Sequence, residues 1–146
     1  MISKDFIGYE SPPFTTTVEA GRLRFFARAT GQRDPVYVDE DAARAAGYSS
    51  LPVPPTFLFG VEMEASQSFR MLEKMGVDLK QILHGEQRFE YHGDICEGDT
   101  LTFVTRVTDI YDKKGGALDF IVQTTSVANQ HRACVADLHR VIVVRN

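Results

Sequence analysis

The chain has 146 residues, 43% of them hydrophobic and 25% charged, the balance of one globular domain rather than of a disordered or fibrous chain. Sixteen Lys and Arg against twenty Asp and Glu give a formal net charge of −4 without a run of either sign, so nothing favours a nucleic-acid backbone as partner. No apolar stretch approaches the ~18 residues of a membrane span, Met1–Glu10 has no charged start followed by an apolar run, and Cys96 and Cys134 lack CxxC spacing. These features predict a cytoplasmic protein with reduced thiols, no membrane association, no metal site and no cofactor.

Helical spacing comes first. Leu23, Phe26, Ala27 and Thr30 recur on one face of a segment from Val18 to about Thr30, with Thr17 as the expected N-cap, Glu19 in the first turn and Gly31 as the stop. Asp39 reads as the cap of a short helix, Glu40 to Ala46, closed by Gly47. Ser49-Ser50-Leu51-Pro52-Val53-Pro54-Pro55 holds three prolines in four residues and is an extended loop. After it, Thr56 starts an apolar stretch, Phe57, Leu58, Phe59, Val61, Met63 and Ala65, which reads as one buried helix.

The second half changes period. Phe89 and Tyr91 alternate with Arg88, Glu90 and His92 as in a half-exposed strand, with His84 just ahead of it. Leu101 to Ile110, Leu118 to Val127 and Ala133 to Val144 read as three more strands, separated by the hairpin signal Asp112-Lys113-Lys114-Gly115-Gly116 and the turn Asn129-Gln130-His131. The run Val141-Ile142-Val143-Val144 is apolar on both faces, so both are expected to be covered, one by the buried helix and the other by loops or a second subunit. Helices first and an antiparallel sheet of four or five strands after them make an α+β domain spanning residues 1–146.

The stretch Phe26 to Asp39, the proline loop before Thr56-Phe57, Leu83 to His92, Gly98-Asp99-Thr100-Leu101 and Tyr111 to Gly116 together resemble the MaoC-like dehydratases, and within them the N-terminal dehydratase domain of fungal-type fatty acid synthases in its free-standing bacterial form. The resemblance covers most of the chain in order. It implies a hot-dog fold, an antiparallel sheet wrapped around a central helix, and reversible addition of water to a trans-2-enoyl thioester on CoA or an acyl carrier protein. In the family an Asp and a His perform the proton transfers within Gly-Asp-x-Asn-Pro-x-His, and amides at the start of the central helix hold the thioester oxygen.

Here Gly31 is kept, but Gln32 stands at the Asp position, Asp34 at the Asn position and Tyr37 at the His position. An amide accepts no proton near neutral pH, and a phenol with an ordinary pKa near ~10 is a poor base. The departure implies the half of a two-subunit hydratase/dehydratase that shapes the acyl site, in a heterodimer with a catalytic hot-dog subunit. Two other readings stay open: a non-catalytic acyl-CoA or acyl-ACP binding module, and a self-sufficient homodimeric hydratase using Asp34 or Tyr37. Asp34 before Pro35 is either a relocated base or an Asx-turn residue, and Tyr37 either a thioester contact or a satisfied buried aromatic. Phe57, Phe59 and Val61 are core residues able to line an acyl tunnel, with His84 as a further lining candidate. His92, His131 and His139 have no partner spacing.

Overall fold

Five strands, β1 (Phe14–Thr17), β2 (Ile82–Tyr91), β3 (Thr100–Lys113), β4 (Leu118–Ala128) and β5 (Cys134–Arg145), make one antiparallel sheet in the order β1-β3-β4-β5-β2 in the computed structural model, which describes residues 1–146. Helices α1 (Ala20–Ala29), α2 (Glu40–Ala45), α3 (Phe57–Glu64) and α4 (Gln67–Lys74) supply the apolar side chains packed against one face of it. The expected α+β hot-dog layout is therefore present. The sheet is more than a meander, because only β3, β4 and β5 follow one another; β2 lies beyond β5 and β1 beyond β3, so these two are the edges.

Several local expectations change. Thr17 is not an N-cap but the last residue of β1, paired with Thr100. Val18 then exchanges backbone bonds with Gly98 and Asp99, so tertiary pairing overrides the capping signal, and α1 starts at Ala20 with no side-chain cap. The apolar run after Thr56 forms two helices rather than one. Ala65 takes extended angles (φ −70°, ψ 116°) and ends α3 after eight residues, and α4 follows at a new angle with Met71 and Leu72 buried. His84 lies inside β2, beside a bulge between His84 and Glu86. There Gly85 is required: a Cβ would lie 2.8 Å from Val143 Cγ2 and 3.2 Å from the Val141 carbonyl. On β5, Ile142 and Val144 are buried but Val141 and Val143 only half-buried, so the second face is not fully covered within one chain.

The predicted turns hold where local chemistry is strong. Gly31 (φ +71°) and Gly47 (φ +97°) take the left-handed conformation that ends α1 and α2, and Asp39 caps α2 by accepting from the amides of Asp41 and Ala42 at 2.8 and 3.2 Å. The proline loop is tied to the chain after β2 by Val53 N–H to Ile95 O and Glu97 N–H to Leu51 O, which fixes where α3 begins.

The core is two apolar clusters with a polar stripe between them. One gathers Leu23, Leu51, Leu58, Val61, Leu101, Phe103, Val127 and Leu138 around α1 and α3; the other gathers Met71, Leu72, Val107, Ile110, Ile121, Ile142 and Val144 under α4. On the same sheet face, between them, Thr105 sits opposite Thr125 and Gln123 opposite Arg140, all buried. Thr105 and Thr125 share a hydroxyl hydrogen bond of 2.7 Å, and Thr125 also donates to Glu62 of α3. Arg140 donates through Nε to Gln123 at 3.0 Å and through Nη2 to Ser68 of α4 at 3.3 Å, with Glu62 Oε1 at 3.7 Å. Burial pushes the Arg140 pKa down and the Glu62 charge pushes it back up. Removing one member strands the other charge, so Arg140→Met should cost about 3–5 kcal/mol. Arg140→Met with Glu62→Leu should recover most of that loss; urea unfolding of the two variants checks it.

Candidate functional site

Two grooves flank α3. The first, about 510 Å³, lies between α3 and β2 and is lined by Phe26, Thr56, Phe59, Gly60, His84, Gln87 and Phe89. The second, about 400 Å³, lies between α1 and α3, lined by Phe25, Phe26, Phe57 and Val61 and by the ion pair Arg22–Glu64. Gly60 and Phe26 border both. The expected acyl-lining residues are thus divided: Phe59 and His84 face the β2 groove, while Phe57 and Val61 face the other and are themselves almost wholly buried. Phe59 packs on the His84 ring at 5.1 Å, and His84 Nε2 lies 3.1 Å from the Glu86 carbonyl, so the ring has a fixed place in the wall.

The start of α3 offers a free donor. Two prolines precede it and carry no N–H. Phe57 N–H bonds Pro54 O and Phe59 N–H bonds Thr56 O, leaving the Leu58 amide without an acceptor in the chain. Gln87 offers more. Both polar atoms of its side-chain amide are buried and neither has a hydrogen-bond partner, although the residue lines the β2 groove. A buried amide with nothing to bind is costly unless something else completes it.

The positions to which the resemblance assigns proton transfer, Gln32 and Tyr37, lie in the loop after α1. Gln32 accepts from the amides of Arg33 and Asp34 at 3.1 and 3.4 Å, so its side chain organises the loop. Asp34 is exposed, lines none of the cavities, and accepts from the Val36 amide at 3.1 Å, capping the short turn Pro35–Tyr37. That is the Asx-turn geometry. Tyr37 lines a separate pocket of about 160 Å³ with Tyr48, Pro52, Pro55 and Tyr91. Burial, then Tyr48 and the charge of Asp34, raise its pKa, which moves it further from acting as a base. Tyr91 donates to the Pro55 carbonyl at 2.6 Å, and its pKa is pushed up to about 12 by burial and by Tyr37. Tyr91 stacks on Phe89, which joins this pocket to the wall of the β2 groove.

The family model described as "FAS1-like, dehydratase domain region" matches residues 5–138. The chain belongs to this dehydratase-domain family. It is 34% identical over 146 residues to a UPF0336 protein of Saccharopolyspora erythraea, covering 99% of this chain and 92% of that one. It is 35% identical over 116 residues to one from Streptomyces avermitilis, covering 78% and 77%. Among solved structures, a MaoC-like dehydratase superposes with a TM-score of 0.86 at 28% identity over 97% of this chain and 42% of that chain. The HadBC (3R-hydroxyacyl-ACP dehydratase) complex of Mycobacterium tuberculosis gives 0.84 at 24% identity over 95% and 97%, a likeness of fold.

Within this dehydratase domain, sequence reasoning missed two polar groups that face cavities. Gln87 was hidden because, although it shares the Phe89 face, it is a polar residue at the start of a strand that reads as ordinary. Arg140 was hidden inside an apolar run, although its parity with Leu138 and Ile142 points it inward. Pairing of β2 with β5 brings His92, Cys134 and Asp137 within 4.8 Å of one another, which spacing along the chain cannot reveal. Both cysteines are free thiols, Cys96 buried and Cys134 exposed. No helix is long and apolar enough to cross a membrane.

Asp137 accepts from His92 Nε2 at 2.8 Å and from the Ser126 hydroxyl at 3.1 Å. The His92 hydrogen bond is the main cause holding the Asp137 carboxyl below its usual range, against burial, which raises it. A depressed carboxylate stabilises the fold above its unfolded pKa of ~3.9 and loses that contribution as pH falls through the folded value. Asp137→Asn should therefore flatten the acid limb of a melting-temperature–pH curve below about pH 4 and leave its shape near neutrality unchanged.

For the groove, any acyl-CoA held there should be bound about tenfold more weakly by Gln87→Leu. Phe59→Trp should close the space beside His84 and reduce affinity most for the longest chains; calorimetry on folded variants checks both.

Proposed function

We propose that the chain is the acyl-site-shaping subunit of an (R)-specific enoyl-thioester hydratase/3-hydroxyacyl-thioester dehydratase, working with a sister hot-dog subunit that brings the acid and base. The observation that carries this reading is a contrast inside one site. The groove beside α3 and the unpaired Gln87 amide that lines it are present, while the two positions that the resemblance assigns to proton transfer hold a loop-forming amide, Gln32, and a phenol, Tyr37, whose pKa is raised.

In hydration, a base takes a proton from water, hydroxyl adds at C3 of the trans-2-enoyl thioester, and negative charge moves onto the thioester oxygen before C2 is protonated. Donors aimed at that oxygen lower the barrier because they bind the charge that develops. The Gln87 carboxamide and the positive end of α3, where Thr56 lines the groove, suit that role. Proton transfer itself contributes roughly 10²–10⁴ in rate, and this chain's own residues do not supply it.

An open edge supports a two-chain assembly. β2 is ten residues long, ends the sheet, exposes Leu83 and Tyr91, and carries the groove residues His84, Gln87 and Phe89. An unpaired strand of that length invites edge-to-edge pairing. A second hot-dog chain paired there would also face the groove. The HadBC and ChsH1–ChsH2 structures, both similar in fold, are complexes. The alternative reading, a non-catalytic acyl-CoA or acyl-ACP binding module, shares the groove and lacks only the sister chain.

With crotonyl-CoA, the chain alone should turn over at a rate ~10²–10⁴ below that of the chain mixed with its sister subunit. Gln32→Asp with Tyr37→His should raise the rate of the chain alone, and either change by itself should do little, because acid and base act together. Binding without turnover in any mixture favours the binding module. Robust turnover by the chain alone, abolished by Asp34→Asn, would instead make it a self-sufficient homodimeric enzyme.

A further inference from the structure

A smaller cavity, apart from the two grooves and the Tyr37 pocket, shares His84 with the β2 groove. It measures about 70 Å³ and is lined by Met63, Phe69, Ile82, His84, Ile142 and Arg140 among others. His84 borders both spaces, with Phe59 packed on its ring on the groove side. The cavity has room for a few heavy atoms, far short of a headgroup or nucleotide, so it suits the end of a chain that has already passed through the groove.

Its unusual feature is Arg140, only 4% exposed in a lining otherwise rich in apolar side chains. Of the guanidinium nitrogens, Nε is bonded to Gln123 and Nη2 to Gln123 and Ser68. Nη1 meets only the Met63 thioether, at 3.6 Å, a weak acceptor. The facing carboxylate is also incomplete, since Glu62 Oε2 is buried without a hydrogen-bond partner. Arg140 and Glu62 cancel in charge at 3.7 Å, so an anion entering here would gain little from the arginine and be repelled by the glutamate. A hydrocarbon end would leave a buried charged donor unanswered. A neutral oxygen answers it.

We infer that this cavity is a specificity pocket in which Arg140 Nη1 donates to a neutral oxygen (hydroxyl, keto or ether) carried by the acyl chain away from the thioester. The inference rests on the acyl-thioester reading above and adds the chemistry of the chain.

The test titrates the wild-type protein, with its sister subunit where that is needed for a soluble assembly, with saturated CoA thioesters from hexanoyl to dodecanoyl. Each is paired with its terminal hydroxyl and terminal carboxylate analogue. At one chain length the hydroxyl analogue should bind about tenfold tighter than the plain chain, and the carboxylate should show no such gain. That ratio should fall to near one in Arg140→Met/Glu62→Gln. If that variant does not fold, Ile142→Phe, which fills the cavity with carbon, should give the same collapse. Equal binding of plain and hydroxylated chains at every length, a preference that survives both variants, or a carboxylate that binds best would overturn the pocket's assignment while leaving the acyl reading in place. Failure of every thioester to bind would overturn the acyl reading itself and the pocket with it.

Discussion

A buried ion pair at the middle of the sheet governs how the rest of the molecule is arranged. Arg140 rises from β5 and Glu62 descends from α3, and every polar side chain between the two apolar clusters bonds to one or the other directly or through one neighbour. Such a pair does not stabilise a fold cheaply, because desolvating both charges offsets most of their attraction. Its effect is positional. Glu62 must meet Thr125 and Arg140, and Ser68 must meet Arg140, so the break at Ala65 that redirects the chain from α3 to α4 lies between two anchored residues. With α3 held at Glu62 and its start held through the proline loop, both walls of the groove it shares with β2 have fixed positions.

That arrangement also keeps the groove independent of the loop in which the resemblance places the proton-transfer positions. The groove depends on α3, on β2 and on the bulge at Gly85, all anchored through the sheet. The acid and base positions depend on a short loop after α1, whose geometry is local. Gln32 folds back onto the amides of Arg33 and Asp34, and Asp34 caps the turn that carries Tyr37. An amide and an Asx turn keep such a loop in shape as well as a carboxylate and an asparagine would. Chemistry can therefore be lost at these two positions without disturbing the binding surface, because the two belong to different packing units.

The sequence is legible where the signal is local. Gly31, Gly47, Asp39, the three proline positions and the period of β3, β4 and β5 each state their structure within a few residues, and each is found. What is not legible is decided across the chain. β1 is a four-residue strand that exists because Phe14–Thr17 finds Thr100–Phe103, and nothing in Phe-Thr-Thr-Thr announces it over the capping role of Thr17. The stop at Ala65 has neither Gly nor Pro; it follows from where Glu62 and Ser68 must reach. Gln87 and Arg140 have the correct parity to face inward, but parity alone cannot say that Gln87 lacks partners or that Arg140 meets Glu62. The residues that did draw attention, Asp34 and Tyr37, stand out because they depart from a motif, and the structure places Asp34 in a capping role and Tyr37 in a neighbouring pocket.

The free edge and the missing dyad share one physical logic. β2 carries His84, Gln87 and Phe89 on the groove side and offers an unpaired backbone on its outer side, so a second sheet paired there would sit against the groove without occupying it. A chain in that position could bring charged acid and base groups to the thioester without this chain burying them in its own core, where the Glu62–Arg140 pair already carries the cost of charge away from water. On the proposed reading, division of the site between two sheets follows from electrostatics as much as from sequence. One sheet offers apolar walls and amide donors that bind without ionising, and the other offers the groups that must gain and lose protons in contact with solvent.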